Sequence, residues 1–368
     1  MEKYRVGIVG ATGMVGQRFI SLLKDHPWFE VNCVAASARS AGKTYREAVG
    51  ERWAFAWEIP EKVAGMTVVD AADIDEVSKH VDFVFCAVDM KKDEIRALEE
   101  AYAKHEIPVV SNNSACRGIE DVPMVVPEIN ADHLAVIEAQ KKRLGTKTGF
   151  IAVKPNCSIQ SYVPALTPLL DFEPEKVSVC TYQAISGAGK TFKTWPEMVD
   201  NVIPYIGGED EKSENEPLKL WGHVEDGKIV NAALPVISAQ CLRVACSDGH
   251  MAAVSVSFKK KPTIEQIKER WANYETEAQR LELLSAPKPF LQYFEDPSRP
   301  QTRLDRDFQN GFGVSIGRLR EDKLFDYRFV CLSHNTVRGA AGGGIGHRLG
   351  GLLRGMAQPR AELQLLHQ

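Results

Sequence analysis

Hydrophobic and polar positions follow two textures along this chain. In the first, short apolar runs alternate with segments of helical spacing. Tyr4–Val9 is β-rich and ends in glycine, and Met14–Lys24 then sets Val15, Phe19, Leu22 and Leu23 on one helical stripe. Phe29–Ala36 is apolar and β-branched. Val81–Val88 (VDFVFCAV) is a nearly continuous apolar run, as expected of a strand covered on both faces. Lys91–His105 is charged and helical, and Pro108–Ser111 and Gly149–Val153 read as further strands. This β–α–β order predicts an α/β unit with a doubly wound, parallel, Rossmann-type sheet.

Past about residue 150 the texture changes. Two-residue alternation appears in Val177–Ile185, Met251–Phe258, Gly313–Leu319 and Tyr327–Leu332, which predicts strands of a mixed sheet with one covered face. Helices are expected over Ser158–Leu170, Trp195–Tyr205, Glu209–Trp221 and Ile264–Glu277, and a loop over Ser285–Arg306. The second unit is therefore an α+β domain. The expected boundaries are 1–153 for the first domain and 154–335 for the second, with a helix over 336–368 packing back on the first. A chain of 368 residues, 44% hydrophobic, is long enough for two such cores. Eight glycines in Gly339–Gly355 work against the last helix beyond about residue 345, because each costs about 1 kcal/mol relative to alanine.

Charge narrows the partners. With 45 basic and 49 acidic residues the net charge is −4, a poor match for nucleic acid or an anionic membrane surface. No stretch approaches the roughly 18 apolar residues of a membrane span, and MEKYRVGIVGATG lacks the apolar core of a signal peptide. The eight cysteines are scattered with no C-x-x-C pair. They read as reduced, cytoplasmic thiols, and no metal is expected.

Chemistry concentrates at a few places. Gly10-Ala-Thr-Gly13-Met-Val-Gly16 lies between a strand and a helix, where glycines admit a pyrophosphate against the helix N-terminus. The segment after the second strand has no acid for a ribose 2′-hydroxyl. It offers Ser37, Arg39, Ser40 and Lys43 instead, which suit a 2′-phosphate and hence NADP, though a solvated basic loop has the same composition. Cys157 follows a Pro-Asn turn ahead of the helix expected from Ser158, where a dipole favours a thiolate. A buried, inert thiol fits the same position. A cysteine nucleophile needs an acid/base partner. His250, in Ser-Asp-Gly-His250 between two strands, is the first candidate and His334 the second.

Several motifs occur together in order: Gly10–Gly16; Ala36-Ser-Ala-Arg-Ser40-Ala-Gly-Lys43; Ser111-Asn-Asn-Ser-Ala-Cys-Arg117; Val126-Pro-Glu-Ile-Asn130; Lys154-Pro-Asn-Cys157-Ser; Gln183-Ala-Ile-Ser186-Gly-Ala-Gly189; Arg243 with His250; Arg303-Leu-Asp-Arg306; and His334-Asn335-Thr-Val-Arg338-Gly-Ala-Ala. In these the chain resembles the aspartate-β-semialdehyde dehydrogenase family, in its archaeal and fungal branch, from Gly7 to about Gly343. The resemblance implies NADPH-dependent reductive dephosphorylation of L-aspartyl 4-phosphate to L-aspartate 4-semialdehyde, in aspartate-family amino-acid biosynthesis. It implies Cys157 as nucleophile, His250 as general acid/base and Gln183 as orienter of the acyl group. Arg243 would clamp the substrate α-carboxylate, Glu209 the ammonium, and Arg117 and Lys212 the phosphate, with Asn156 beside them; the adjacent Asp210 and Glu211 could shift the Glu209–Lys212 register by one residue, and a solvated charged helix fits the same stretch. Thr12, Gly13, Met14 and Val15 join Gly10 and Gly16 on the cofactor, while Ser186, Gly187, Gly189 and Asn335 would line its nicotinamide. The second domain would carry dimerisation, giving a homodimer or homotetramer. Reductases of N-acetyl-glutamyl phosphate or malonyl-CoA share the cysteine–histidine pair, and an NADP-binding regulator is the non-enzyme alternative. The family continues after Gly342 with Asn-Ala-Glu-Leu character, from which this glycine-rich tail departs.

Overall fold

The computed structural model describes residues 3–280 and 286–345. Its first sheet has six strands, β1 (Tyr4–Val9), β2 (Phe29–Ala36), β3 (Val69–Asp70), β4 (Phe83–Cys86), β5 (Val109–Ser111) and β6 (Ile151–Val153). They run in the order β3-β2-β1-β4-β5-β6, all parallel. This is the Rossmann-type arrangement the alternating texture predicts. The central β1 and β4 are apolar throughout their inner parts because helices cover both faces, and Val6, Ile8, Phe83 and Phe85 are fully buried. Strand order reverses between β1 and β4, so a crevice opens at the C-terminal end of β1, where Gly10 begins the glycine loop.

The second sheet is mixed and has seven strands. They are β7 (Pro174–Gln183), β8 (Val202–Ile203), β11 (Val236–Val244), β12 (His250–Phe258), β13 (Leu291–Phe294), β14 (Val314–Glu321) and β15 (Tyr327–Ser333). A separate ribbon pairs β9 (His223–Glu225) with β10 (Lys228–Val230). Alternation is clearest in β12, where His250, Ala252, Val254, Val256 and Phe258 face inward. The register aligns Arg243 of β11 with Gln183 of β7, and Met251 of the antiparallel β12 with Tyr182. The parallel β7 and β11 thus end where β12 begins, which gathers Gln183, Arg243 and His250 at one sheet end.

Some expected elements differ. The helix expected over Ser158–Leu170 is a run of turns, then a four-residue helix Val163–Leu166 and a 3-10 turn Thr167–Phe172. Pro164 and Pro168 lack the amides a longer helix needs. Cys157 therefore precedes turns rather than a helix, and the dipole argument for its thiolate does not apply. Trp195–Tyr205 holds only the 3-10 turn Pro196–Met198 before β8, since Asp200 adopts φ +57°. The helix from Ile264 stops at Ala272, and Glu277–Arg280 is a separate turn of helix. The expected loop over Ser285–Arg306 contains β13 and a helical turn, Thr302–Asp305. Of the helix expected over 336–368, a π-helical turn Val337–Ala341 and the helical turn Gly342–Ile345 are present, and residues 346–368 lie outside the described residues. Ala341 and Ile345 pack with Phe19 and Phe85, so this segment does return to the first sheet. Among the described residues no helix is long and apolar enough to cross a membrane.

Candidate active site

Cys157 leaves β6 through Lys154-Pro-Asn, and His250 opens β12. The Cys157 Sγ and His250 Nε2 atoms lie 3.4 Å apart. The Ala184 backbone N–H donates to His250 Nδ1 at 3.0 Å, so the neutral ring carries its proton on Nε2, toward the sulfur. His250 is fully buried. Burial pushes its pKa down to about 3 and the nearby Arg243 guanidinium adds to the effect, against Glu209 and the Gly249 carbonyl. The imidazole is neutral across physiological pH. Burial raises the Cys157 thiol and Glu209 raises it further, while Lys154, Arg243 and Arg117 oppose them; the net direction is upward.

The helix Glu209–Leu220 closes the other side. Its inner face presents Glu209, Ser213 and Glu216 at three- and four-residue spacing. Glu209 accepts from Asn156 Nδ2 at 2.9 Å to both oxygens, from Gln183 Nε2 at 3.2 Å and from Lys212 Nζ at 2.7 Å. Burial raises this carboxyl, but Lys212 and the hydrogen bonds of Lys212, Asn156 and Gln183 outweigh it and hold Glu209 below the usual carboxylate range. Asn156 Oδ1 accepts from the Ser158 N–H at 2.8 Å, which shapes the turn around Cys157. Arg243 Nη1 donates to the Ala184 carbonyl at 2.8 Å. Arg117 Nη1 donates to Glu216 at 2.9 Å, and Glu216 also accepts the Asn156 N–H at 2.5 Å. The structure thus links Cys157, His250, Gln183, Asn156, Glu209, Lys212, Arg243 and Arg117 in one network.

Two glycines allow close backbone approach. A β-carbon on Gly187 would lie 2.9 Å from both Arg243 Nη1 and His250 Nε2, and one on Gly339 would lie 2.9 Å from Cys157 Cβ. Asn335 ties this end together: its Oδ1 accepts from the Gly249 N–H at 2.8 Å and its Nδ2 donates to Ser186 Oγ at 2.9 Å.

The cofactor candidates lie across the seam between the sheets. Gly10 adopts φ +89°, and a β-carbon there would lie 2.3 Å from the Ala87 carbonyl oxygen. Gly13 caps the helix Met14–Leu23 with no side chain over its open amides. This cradle fits a dinucleotide pyrophosphate. Thr12 and Val15 are half-buried in the loop and at the helix start. A cavity of about 150 Å³ joins Met14, Arg18 and Phe55 to Ser186, Ser247 and Asp248. Gly189, at φ +67°, ends the Ile185–Ala188 turn. Ser37 and Arg39 are exposed and Ser40 half-buried just past the end of β2.

His334, the second histidine candidate, instead accepts on Nδ1 from the Thr336 and Val337 amides. Sequence reasoning misses Lys154, Glu216, Arg18 and Phe55 as site residues. Lys154 is nearly fully buried, and burial, with Arg117 adding, pushes it down to about 7. A charged residue leaving an apolar strand is the signal for Lys154. Helical spacing from Glu209 is the signal for Glu216.

Residues 5–137 match the family model described as semialdehyde dehydrogenase, NAD binding domain, and residues 166–338 match semialdehyde dehydrogenase, dimerisation domain. The aspartate-semialdehyde dehydrogenase of Schizosaccharomyces pombe is 45% identical over 93% of this chain and 96% of its own length. The chain belongs to the aspartate-semialdehyde dehydrogenase family. The Archaeoglobus fulgidus member is 43% identical over 93% of this chain and 96% of its own. A crystal structure of the Candida albicans aspartate semialdehyde dehydrogenase with NADP has a TM-score of 0.85 and 38% identity, covering 96% of this chain and 99% of that one. Within this aspartate-semialdehyde dehydrogenase family member, Cys157 falls in the interval between the two matched segments, where β6 leaves the first sheet.

Proposed function

We propose that this enzyme catalyses the NADPH-dependent reductive dephosphorylation of L-aspartyl 4-phosphate to L-aspartate 4-semialdehyde, through an acyl thioester on Cys157. The observation that carries the reading is the Cys157–His250 contact at 3.4 Å set among Arg243, Arg117 and Glu209. A substrate bearing a carboxylate, an ammonium and a phosphate needs such a mixed set. Arg243 takes the α-carboxylate as a two-pronged donor, Glu209 the ammonium, and Arg117 and Lys212 the phosphate. Arg117 Nε is buried with no hydrogen-bond partner among the described residues, a donor free for a phosphate oxygen.

The Cys157 sulfur attacks the acyl carbon, the C–S bond forms as the C–O bond breaks, and phosphate departs with the C–O electron pair, the thiol proton leaving with it as hydrogen phosphate. The Nε2–H of His250 donates to the oxyanion that develops beside the sulfur, and Gln183 orients the acyl group. NADPH supplies the hydride that reduces the acyl carbon. As the C–S bond breaks to release aldehyde, Lys154, Arg243 and Arg117 stabilise the departing thiolate. The cofactor rests on Gly10, Thr12, Gly13, Met14, Val15 and Gly16, with Ser37, Arg39 and Ser40 at its 2′-phosphate and Ser186, Gly187, Gly189 and Asn335 at its nicotinamide.

The domains divide as 1–153 for NADP and 154–335 for catalysis and dimerisation, with the segment from 336 returning to the first. Exposed apolar residues around β8 and β11, including Val199, Val202, Tyr205 and Val236, support a homo-oligomer built on this face. The eight free cysteines fit a reducing cytoplasm. The test is NADP reduction with L-aspartate semialdehyde, with and without phosphate. Turnover that requires both compounds is expected. Turnover with malonate semialdehyde and coenzyme A, or with N-acetyl-glutamate semialdehyde, in place of the aspartyl substrate would overturn the reading.

A further inference from the structure

Glu216 is buried and is shared by two parts of the site. One oxygen accepts the Asn156 backbone N–H at 2.5 Å, one residue before the nucleophile, and the other accepts Arg117 Nη1 at 2.9 Å. Arg117 is fixed at its second prong by the Asn112 carbonyl at 3.2 Å. One turn further along the same helix, the buried Lys219 donates to the carbonyls of Arg117 and Ile119 at 2.7 Å each and of Val122 at 3.0 Å. The helix therefore holds the 112–122 loop by a carboxylate and an ammonium, and holds the 156–158 turn by Glu209 and the same Glu216 carboxylate. Of these groups, Glu216 alone bonds directly to both the Arg117 guanidinium and the peptide leading into Cys157.

We propose that Glu216 is a positioning residue for acyl transfer to phosphate, setting the Arg117 guanidinium at a fixed place relative to the Cys157 turn. The proposal rests on the function given above. A buried carboxylate facing a phosphate site costs phosphate affinity by repulsion, so its presence is explained by what it orients. Holding both Nη atoms of Arg117 leaves the Nε–H, buried and without a hydrogen-bond partner among the described residues, available to the incoming anion. It also ties phosphate binding to the geometry of the nucleophile. An error of about 1 Å in such an arrangement costs on the order of 10²-fold in rate.

The experiment is steady-state kinetics in the direction that consumes semialdehyde, phosphate and NADP, on wild type, Glu216→Gln, Arg117→Lys and the double variant. Glu216→Gln keeps one acceptor for the Asn156 N–H but removes the negative charge that Arg117 faces. The expected result is a rise of roughly 10-fold or more in the phosphate KM. The semialdehyde KM and the NADP Kd stay within about two-fold, a split that general loosening of the fold does not give. The double variant is no worse for phosphate than Arg117→Lys, because Glu216 acts through that guanidinium. An unchanged phosphate KM, equal losses in all three constants, or penalties that multiply would overturn the proposal. A fall in phosphate KM would also overturn it, by showing that Glu216 masks Arg117. If Glu216→Gln does not fold, Glu216→Asp carries the test, since a shorter carboxylate retains the charge but reaches only one of its two partners. A wild type with no phosphate-dependent turnover removes the functional reading itself. Wild-type turnover with phosphate that Glu216→Gln reproduces removes only the role of Glu216.

Discussion

Cys157 and His250 form a pair whose protonation is fixed by backbone and burial together. The Ala184 N–H occupies His250 Nδ1, so a second ring proton would meet a donor rather than an acceptor. Burial acts in the same direction and keeps the imidazole neutral down to about 3. The resting pair is therefore thiol and neutral imidazole, not thiolate and imidazolium. With the thiol raised, the thiolate fraction at neutral pH is smaller than in a free cysteine, whose pKa is about 8.5. Alkylation of Cys157 by iodoacetamide should rise with pH through a midpoint above that value. Lys154→Gln should move the midpoint up by removing a cation, and Glu209→Gln should move it down by removing an anion. A wild-type midpoint well on the acid side of a free cysteine would show that an ion pair exists and that the assigned tautomer is wrong.

At the scale of elements, sequence pattern and structure agree where one signal dominates. The apolar runs of β1, β2 and β4 and the alternation of β7 and β12 are readable because each strand has covered faces of fixed period. The segment after Cys157 misleads because its apolar spacing is helical while Pro164 and Pro168 withhold the amides. β13 is hidden because its four residues lie among prolines and charges. Cys157 and His250, which the structure brings together, are recognisable as candidates from turn context plus resemblance. The role proposed for Glu216 is not, because its partners lie 60 and 99 positions away. The π-helical turn Val337–Ala341 is also invisible to periodicity, yet it brings Gly339 against Cys157. Gly339→Ala would place a methyl group 2.9 Å from Cys157 Cβ, so one of the two must move. A fall in kcat on the order of 10-fold or more is expected with NADP affinity retained, measured by steady-state kinetics and cofactor titration. Unaltered kcat would show that the turn yields without disturbing the thiol.

The whole molecule joins two kinds of sheet, and the proposed reaction divides between them. The parallel sheet ends in an uncapped glycine loop suited to a dinucleotide, and the mixed sheet ends in Gln183, Arg243 and His250. Cys157 stands on the connection leaving β6, and the Gly342–Ile345 turn packs back beside Phe19 on the glycine-loop helix. In the proposed reaction, a hydride donor on the glycine loop of the first sheet meets, at this seam, an acyl group on Cys157 that Gln183 and Arg243 of the second sheet orient. The core of the proposed mechanism is the acyl group carried by Cys157. It is tested by mixing enzyme with L-aspartate semialdehyde and NADP in the absence of phosphate, following NADPH by absorbance and the intact protein by mass. The expected result is a burst approaching one NADPH per active site and an acyl adduct on Cys157, which added phosphate discharges. No burst and no adduct, in an enzyme that still turns over when phosphate is present from the start, would contradict it.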